Sequence, residues 1–189
     1  LGNELNTALA RVAAEERRRR EAEEARARLL EAQKEDLERY RSEFFGRLRD
    51  VLGTRAGIRI EGDRFVFSSE VLFAPGEADL SAAGRREIAN VADILGEVID
   101  EIPPGIDWVL QVDGHTDDVP LRPGAAFADN WELSQARALS VVRYMINALG
   151  LPPARLSANG FGQYQPVNSA DTPQARAQNR RIELKFTGK

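Results

Sequence analysis

Between residues 113 and 118 the chain reads Asp-Gly-His-Thr-Asp-Asp, a dense polar cluster that contains the only histidine of the 189-residue sequence. Carboxylates and an imidazole are the donor types of a metal centre, and an imidazole beside a carboxylate is also how a general base is oriented. Both chemistries need groups from elsewhere in the fold. The chain has no cysteine and no second histidine, so a metal would lack ligands from another element, and no metal ion or cofactor is expected. A hydrolase would use His115 as base and a nucleophile such as Ser134, but nothing in the spacing orients one on the other. The plain alternative for His115 is a strand-end imidazole hydrogen-bonded to backbone.

A second cluster, Asn130-Trp131-Glu132-Leu133-Ser134-Gln135-Ala136-Arg137, spans the end of a loop and two helical turns. Asn130 is of the type that caps helix N-termini, which would aim free N–H groups at the loop. Ser134 and Arg137, three apart, share a face. Arg137 could equally pair with a helical neighbour at the surface, where such a pair is worth little. A third cluster is Asn179-Arg180-Arg181 at the mouth of a terminal strand. Alternation puts Arg180 with Ile182 on one face and Arg181 with Glu183 on the other, so at most one of the two is expected to face a given site. Gly160-Phe161-Gly162 is too short for a phosphate loop, and its glycines are expected in turns.

The elements that must position these groups can be read from periodicity. From Leu5 to about Leu52 there is no proline, one glycine and a dense supply of Ala, Glu and Arg, which predicts one long helix. Leu30, Leu37, Phe44 and Val51 recur every seventh residue, with Tyr40 three after Leu37, and Leu5, Leu9 and Val12 begin a similar register. That pattern is a coiled-coil seam. Between the two stretches Glu16, Arg19, Glu23 and Arg26 occupy the seam positions, so the middle reads either as a rigid solvated spacer or as a loose part of a parallel dimer.

After Gly53 the patterning changes. Gly57–Ile60 and Arg64–Phe67 read as two strands around Glu61-Gly62-Asp63, Ser81 can cap a helix to about Asp100, and Ile106–Val112 is a buried strand. A loop is expected from Asp113 to Asn130, then a helix over Glu132–Leu149, a strand near Arg155–Ala158, a short helical turn after Thr172 and a last strand Arg181–Phe186. Two parts follow: residues 1–53, a long charged helix or coiled-coil stalk, and residues 54–189, an α/β (α+β) sandwich of one mixed sheet with helices on one face.

Composition narrows the function classes. The net charge is −4, and the basic residues of the first fifty positions are matched by acids, so a nucleic-acid partner is not expected. No apolar run approaches the roughly 20 residues that cross a bilayer, and no signal segment opens the chain. The chain begins at Leu1 rather than Met, and an anchor upstream of it is compatible with that.

Four separated motifs, in order, carry a resemblance. Gly114-His115-Thr116-Asp117, then Asn130-x-x-Leu133-Ser134-x-x-Arg137-Ala138, then Gly160-Phe161-Gly162 with Pro166, then Asn179-Arg180-Arg181-Ile182-Glu183 resemble the OmpA-like peptidoglycan-binding domain. Leu72-Phe73-x-x-Gly76-x-Ala78-x-Leu80 is similar to that family's opening motif, so the resemblance covers about residues 58–186. Asp118-Val119-Pro120 and Asn130–Ser134 look most like the MotB-like branch, the cell-wall anchors of ion-driven stators. The long helix is more similar to MotB-like envelope proteins with a helical stalk than to a flagellar anchor.

The resemblance implies a non-enzymatic domain that binds the diaminopimelate stem peptide of peptidoglycan. It implies Asp117 as acceptor for the ammonium of that residue and Arg137 as partner for its carboxylate, with Asn130, Ser134, Thr116 and Arg180 in support. It further implies a periplasmic location, a homodimer, a tether to the inner membrane upstream of Leu1, and a partner channel of the MotA or ExbB kind. Two departures bear on the site: the stretch between Asp118 and Asn130 is longer than in simple outer-membrane anchors, and residues 171–176 replace a glycine-bearing turn. The alternative reading is a metal-dependent peptidoglycan hydrolase using His115 and Asp117.

Overall fold

The computed structural model describes residues 2–53 and 55–189. The chain divides into two compact units, one ending at Arg39 and the other running Tyr40–Lys189. Helix α1 (Gly2–Leu52) supplies the first unit and the opening turns of the second. In the first unit its residues are exposed almost throughout, including Leu5, Leu9, Val12, Leu29 and Leu30.

The expected heptad seam is divided in the second unit. Tyr40, Phe44, Phe45, Leu48 and Leu52 are buried, and the Phe44 ring lies 5.9 Å from that of Phe186. Val51, in the same predicted seam, is 50% exposed. The last turns of α1 therefore present a stripe at i, i+4, i+8 and i+12 to their own sheet, the spacing of a core-facing helix. Phe44 is consumed by that core and cannot serve a partner helix.

The second unit continues with β1 (Ile58–Glu61), β2 (Arg64–Ser68), the single turn α2 (Ser69–Leu72), α3 (Ala82–Ile99), β3 (Trp108–His115), α4 (Asn130–Asn147), β4 (Leu156–Gly160), α5 (Pro173–Asn179) and β5 (Arg181–Gly188). Five strands form one mixed sheet in the order β1-β2-β5-β3-β4. Only β3 and β4 are parallel, and α4 makes the crossover that parallel neighbours require. No helix among the described residues is long and apolar enough to cross a membrane.

Strand alternation separates the two faces of the sheet. Leu110 and Val112 of β3 pair with Phe186 and Leu184 of β5, and Phe65 and Phe67 of β2 lie opposite Leu184 and Ile182. All are fully buried, as are Ile88, Leu95 and Met145 of the helices. The other face carries Gln111, Asp113 and His115 opposite Lys185, Glu183 and Arg181. This is the mixed sheet with helices on one face that the patterning implies.

Two glycines let α4 reach the ends of the parallel pair. A Cβ on Gly114 would stand 2.2 Å from the Ser134 carbonyl oxygen, and one on Gly160 would stand 2.5 Å from the Gln135 amide nitrogen. Helix and strands touch backbone to backbone there, which only glycine permits. The first turns of α4 are thereby held over the ends of β3 and β4.

Boundaries differ from expectation in two places that matter. Strand β3 runs on through Asp113 and His115, because both remain paired with β5; the loop begins at Thr116, not Asp113. Helix α4 begins at Asn130, and its cap is Asp129, whose Oδ1 accepts from the Glu132 amide at 2.9 Å. Asn130 is therefore the first helical residue and not the cap. A carboxylate at that position accepts an orphan N–H as well as an asparagine does, and it also complements the helix dipole.

Candidate functional site

The end of β3 is tied to the segment that follows β4. Thr116 N–H donates to the Gly162 carbonyl and Phe161 N–H donates to that of Gly114, both at 2.9 Å. Asp117 is the next residue. Its Oδ1 accepts from the Val119 amide at 3.0 Å, an Asx turn that fixes the carboxylate against its own backbone. Its Oδ2 accepts from Arg180 Nη1 at 2.7 Å. Arg180 stands between α5 and β5, and its Nε donates to Glu70 of α2, also at 2.7 Å. Burial lowers the proton affinity of this guanidinium, but the hydrogen bonds to Asp117 and Glu70 outweigh it and hold the pKa above its ordinary value.

Arg137 approaches from α4. Asn130, Leu133, Ser134 and Arg137 form the buried stripe of its first turns. Arg137 Nε donates to the Glu77 carbonyl at 2.8 Å, and its guanidinium carbon lies 5.2 Å from the centre of the Phe73 ring. Burial pushes its pKa down, Glu70 partly opposing. A planar cation held by one backbone oxygen and an aromatic face retains donors for an anion.

These groups line one cavity of about 770 Å³, whose wall includes Thr116, Asp117, Asn130, Arg137 and Arg180. The size is that of an ordinary small-ligand site. Its other wall is the loop after Asp118, including Val119, Arg122 and Phe127. Asn130 holds that loop: its Nδ2 lies within hydrogen-bonding distance of the carbonyls of Asp117 (3.3 Å) and Val119 (3.1 Å) and of Gln163 Oε1 (3.0 Å).

Five of the six residues singled out from the sequence thus come together, and Ser134 does not. Ser134 is fully buried outside the cavity, donating to the Trp131 carbonyl at 3.0 Å and accepting from the Gly162 amide at 2.9 Å. Its hydroxyl joins α4 to the segment after β4. Phe73, a residue of the opening motif, also lines the cavity, as do Glu70 and Ser69, which sequence reasoning missed. Ser69 Oγ is buried with no hydrogen-bond partner among the described residues. Their only sequence signal was proximity to the opening motif at Leu72, because the distance to Arg180 is closed by the β2–β5 pairing.

His115 is elsewhere. It belongs to the helix-free face, where the Phe161 ring stacks on it at 5.0 Å and 8°. Neither ring nitrogen has a hydrogen-bond partner among the described residues, and Nε2 is 3.8 Å from Glu183 Oε1. Burial, reinforced by Arg181, lowers its pKa to about 4. A neutral, sealed imidazole without polar partners is placed neither to bind metal nor to move a proton at Asp117. It also differs from the backbone-bonded imidazole expected at a strand end. Arg181 lies beside it, buried and donating to Glu183 at 2.6 Å, so the strand alternation that separates Arg180 from Arg181 is realised.

Comparison with known proteins adds four findings. The OmpA family profile matches residues 72–180. Motility protein B of Bacillus subtilis (strain 168) is 31% identical over 124 residues, 66% of this chain and 44% of that protein. The crystal structure of a MotB-like protein from Desulfovibrio vulgaris superposes with a TM-score of 0.71 at 32% identity, covering 84% of this chain and 96% of that one. The cell wall anchor of the T6SS from Pseudomonas aeruginosa superposes at 0.58 with 27% identity, covering 75% of this chain and 94% of that one. The chain spans about half the length of such curated relatives.

Proposed function

Because this chain belongs to the OmpA family, we propose that its cavity binds peptidoglycan and that the ligand is the diaminopimelate residue of a stem peptide, held without chemical conversion. The observation that carries the reading is the joint presence of Asp117 and Arg137 on one cavity wall. The free end of diaminopimelate carries an ammonium beside a carboxylate. Asp117 retains lone pairs for the ammonium, and the Arg137 fork suits the carboxylate. Arg180 holds the acid in place, Asn130 sets the loop, and the unpartnered Ser69 hydroxyl is a donor the ligand can satisfy.

The wider role is that of a cell-wall anchor in the periplasm. It rests on likeness to motility protein B and to the cell wall anchor of the T6SS. We place the first unit, which ends at Arg39, as a stalk, leading to an inner-membrane tether upstream and to a channel of the MotA or ExbB kind. Pairing of two copies along the stalk is part of the same proposal, and the exposed Leu5, Leu9, Val12 and Leu30 are the side chains available for it.

Calorimetric titration of the purified chain with a soluble diaminopimelate tripeptide tests the binding role. Saturable binding, weakened at least tenfold when lysine replaces diaminopimelate, is expected, since lysine lacks the carboxylate that Arg137 would take and one charge-assisted hydrogen-bonded pair is worth about that factor. Equal affinity for both peptides, or none for either, contradicts the reading.

A further inference from the structure

The charges lining the cavity do not balance. Its acids are Glu70 and Asp117, and its cations are Arg122, Arg137 and Arg180. Both acids are engaged by the same cation, since Arg180 donates to each at 2.7 Å. Arg137 is left with a carbonyl and an aromatic face. The Arg122 side chain has no hydrogen-bond or ion-pair partner among the described residues.

Arg122 nevertheless stands on a defined piece of backbone. The Ala125 amide donates to the Arg122 carbonyl at 3.0 Å, and Gly124 has φ of 80°. With Pro123 between them this is a type II turn: proline sets φ at its second position, and glycine takes the left-handed third position that a side chain would strain. Upstream, Val119 is held by Asp117 and by Asn130. Downstream, the Ala128 amide donates to Glu132 at 2.6 Å. The inserted loop is thus fastened at both ends by contacts that do not involve the Arg122 side chain, and Arg122 lines the cavity from it.

We propose that Arg122 forms a second carboxylate subsite of this cavity, so that the ligand is gripped at two carboxylates, one on Arg137 and one on Arg122. The inference rests on the stem-peptide reading and deepens it. A diaminopimelate tripeptide carries two carboxylates besides the one at the free end of that residue: the α-carboxylate of its glutamyl unit and the carboxylate at its C-terminus. Either offers Arg122 the same charge and geometry. In this reading the inserted loop makes the site selective for the peptide over the free end of diaminopimelate alone.

The test titrates the full chain and its Arg122→Gln variant with three tripeptides: unmodified, amidated at the glutamyl α-carboxyl, and amidated at the C-terminus. Wild type should lose about tenfold on one of the two amides, the expected effect of removing one charge-assisted contact. The variant should bind the unmodified peptide about tenfold more weakly than wild type does and should not distinguish it from that amide. Thermal unfolding of the variant should match wild type, because the side chain it removes has no partner to lose. Unchanged affinity in Arg122→Gln, or an equal loss on all three peptides, overturns the subsite while leaving the stem-peptide reading intact. Failure of wild type to bind any of the three overturns both.

Discussion

Asp117 Oδ2 accepts from Arg180 Nη1 at 2.7 Å, a contact that closes 63 positions of sequence and fixes the carboxylate that the proposed site offers to a ligand. The same guanidinium reaches Glu70, so one cation keeps two carboxylates from repelling each other at the cavity wall. In the proposed site Arg180 is therefore a positioning residue for Asp117.

Replacing Arg180 by alanine should weaken stem-peptide binding by about tenfold or more, since Asp117 would lose one of its two fixed contacts and face Glu70 without compensation. Arg180→Lys should recover part of the loss, a lysine being able to reach one carboxylate but not both through a planar fork. Titration of both variants checks this. If Arg180→Ala bound as tightly as wild type, the ion pair would have no part in preparing the site.

Ser134→Ala should act on stability and not on ligand. Its hydroxyl accepts from the Gly162 amide in a buried place, and leaving that N–H without a partner costs about 1–3 kcal/mol. Denaturant titration should show the loss, while the folded variant should bind the stem peptide as wild type does. An unchanged midpoint combined with weakened binding would instead make Ser134 a ligand contact.

His115 should give the domain an acid-sensitive stability. Its folded pKa of about 4 lies below the ordinary imidazole value of 6.5, so between those values the unfolded chain binds more protons and stability rises with pH. The contribution is fully present above about 6.5 and is lost as pH falls through about 4, on the order of 3 kcal/mol over the window. Asp113, whose pKa is raised by burial, acts in the opposite sense on the acid side. The measurement is therefore the difference between wild type and His115→Phe, a ring that keeps the stacking on Phe161. The pH slope between 4 and 6.5 should be reduced in the variant; identical slopes would show that the buried imidazole does not titrate with unfolding.

The sheet, its helices and the loop cluster were legible because strand and helix periods repeat cleanly after Gly57, and because the four motifs fall at strand ends and the first turns of α4. What was not legible depended on competition between neighbours. Asp129 and Asn130 are both good caps, and only the helix start at Asn130 decides between them. Asp113 reads as a loop residue by type, yet it stays in β3 because Asn159 and Gln111 donate to its carboxylate. Phe44 fits a heptad seam and a core stripe equally well, and the nearby Phe186 ring settles it. Glu70 had no signal beyond its nearness to the opening motif, since its link to Arg180 exists only through the pairing of β2 with β5.

The central claim is that Asp117 and Arg137 grip one zwitterionic side-chain end together, and a double-mutant cycle on ligand affinity tests it most directly. Wild type, Asp117→Asn, Arg137→Gln and the double variant would be titrated with the diaminopimelate tripeptide and with its lysine counterpart. The account predicts that Arg137→Gln binds the two peptides alike, having lost its preference for the carboxylate, whereas Asp117→Asn weakens both, since both present an ammonium. Retention of the full diaminopimelate preference in Arg137→Gln, or undiminished binding of both peptides by Asp117→Asn, would contradict it.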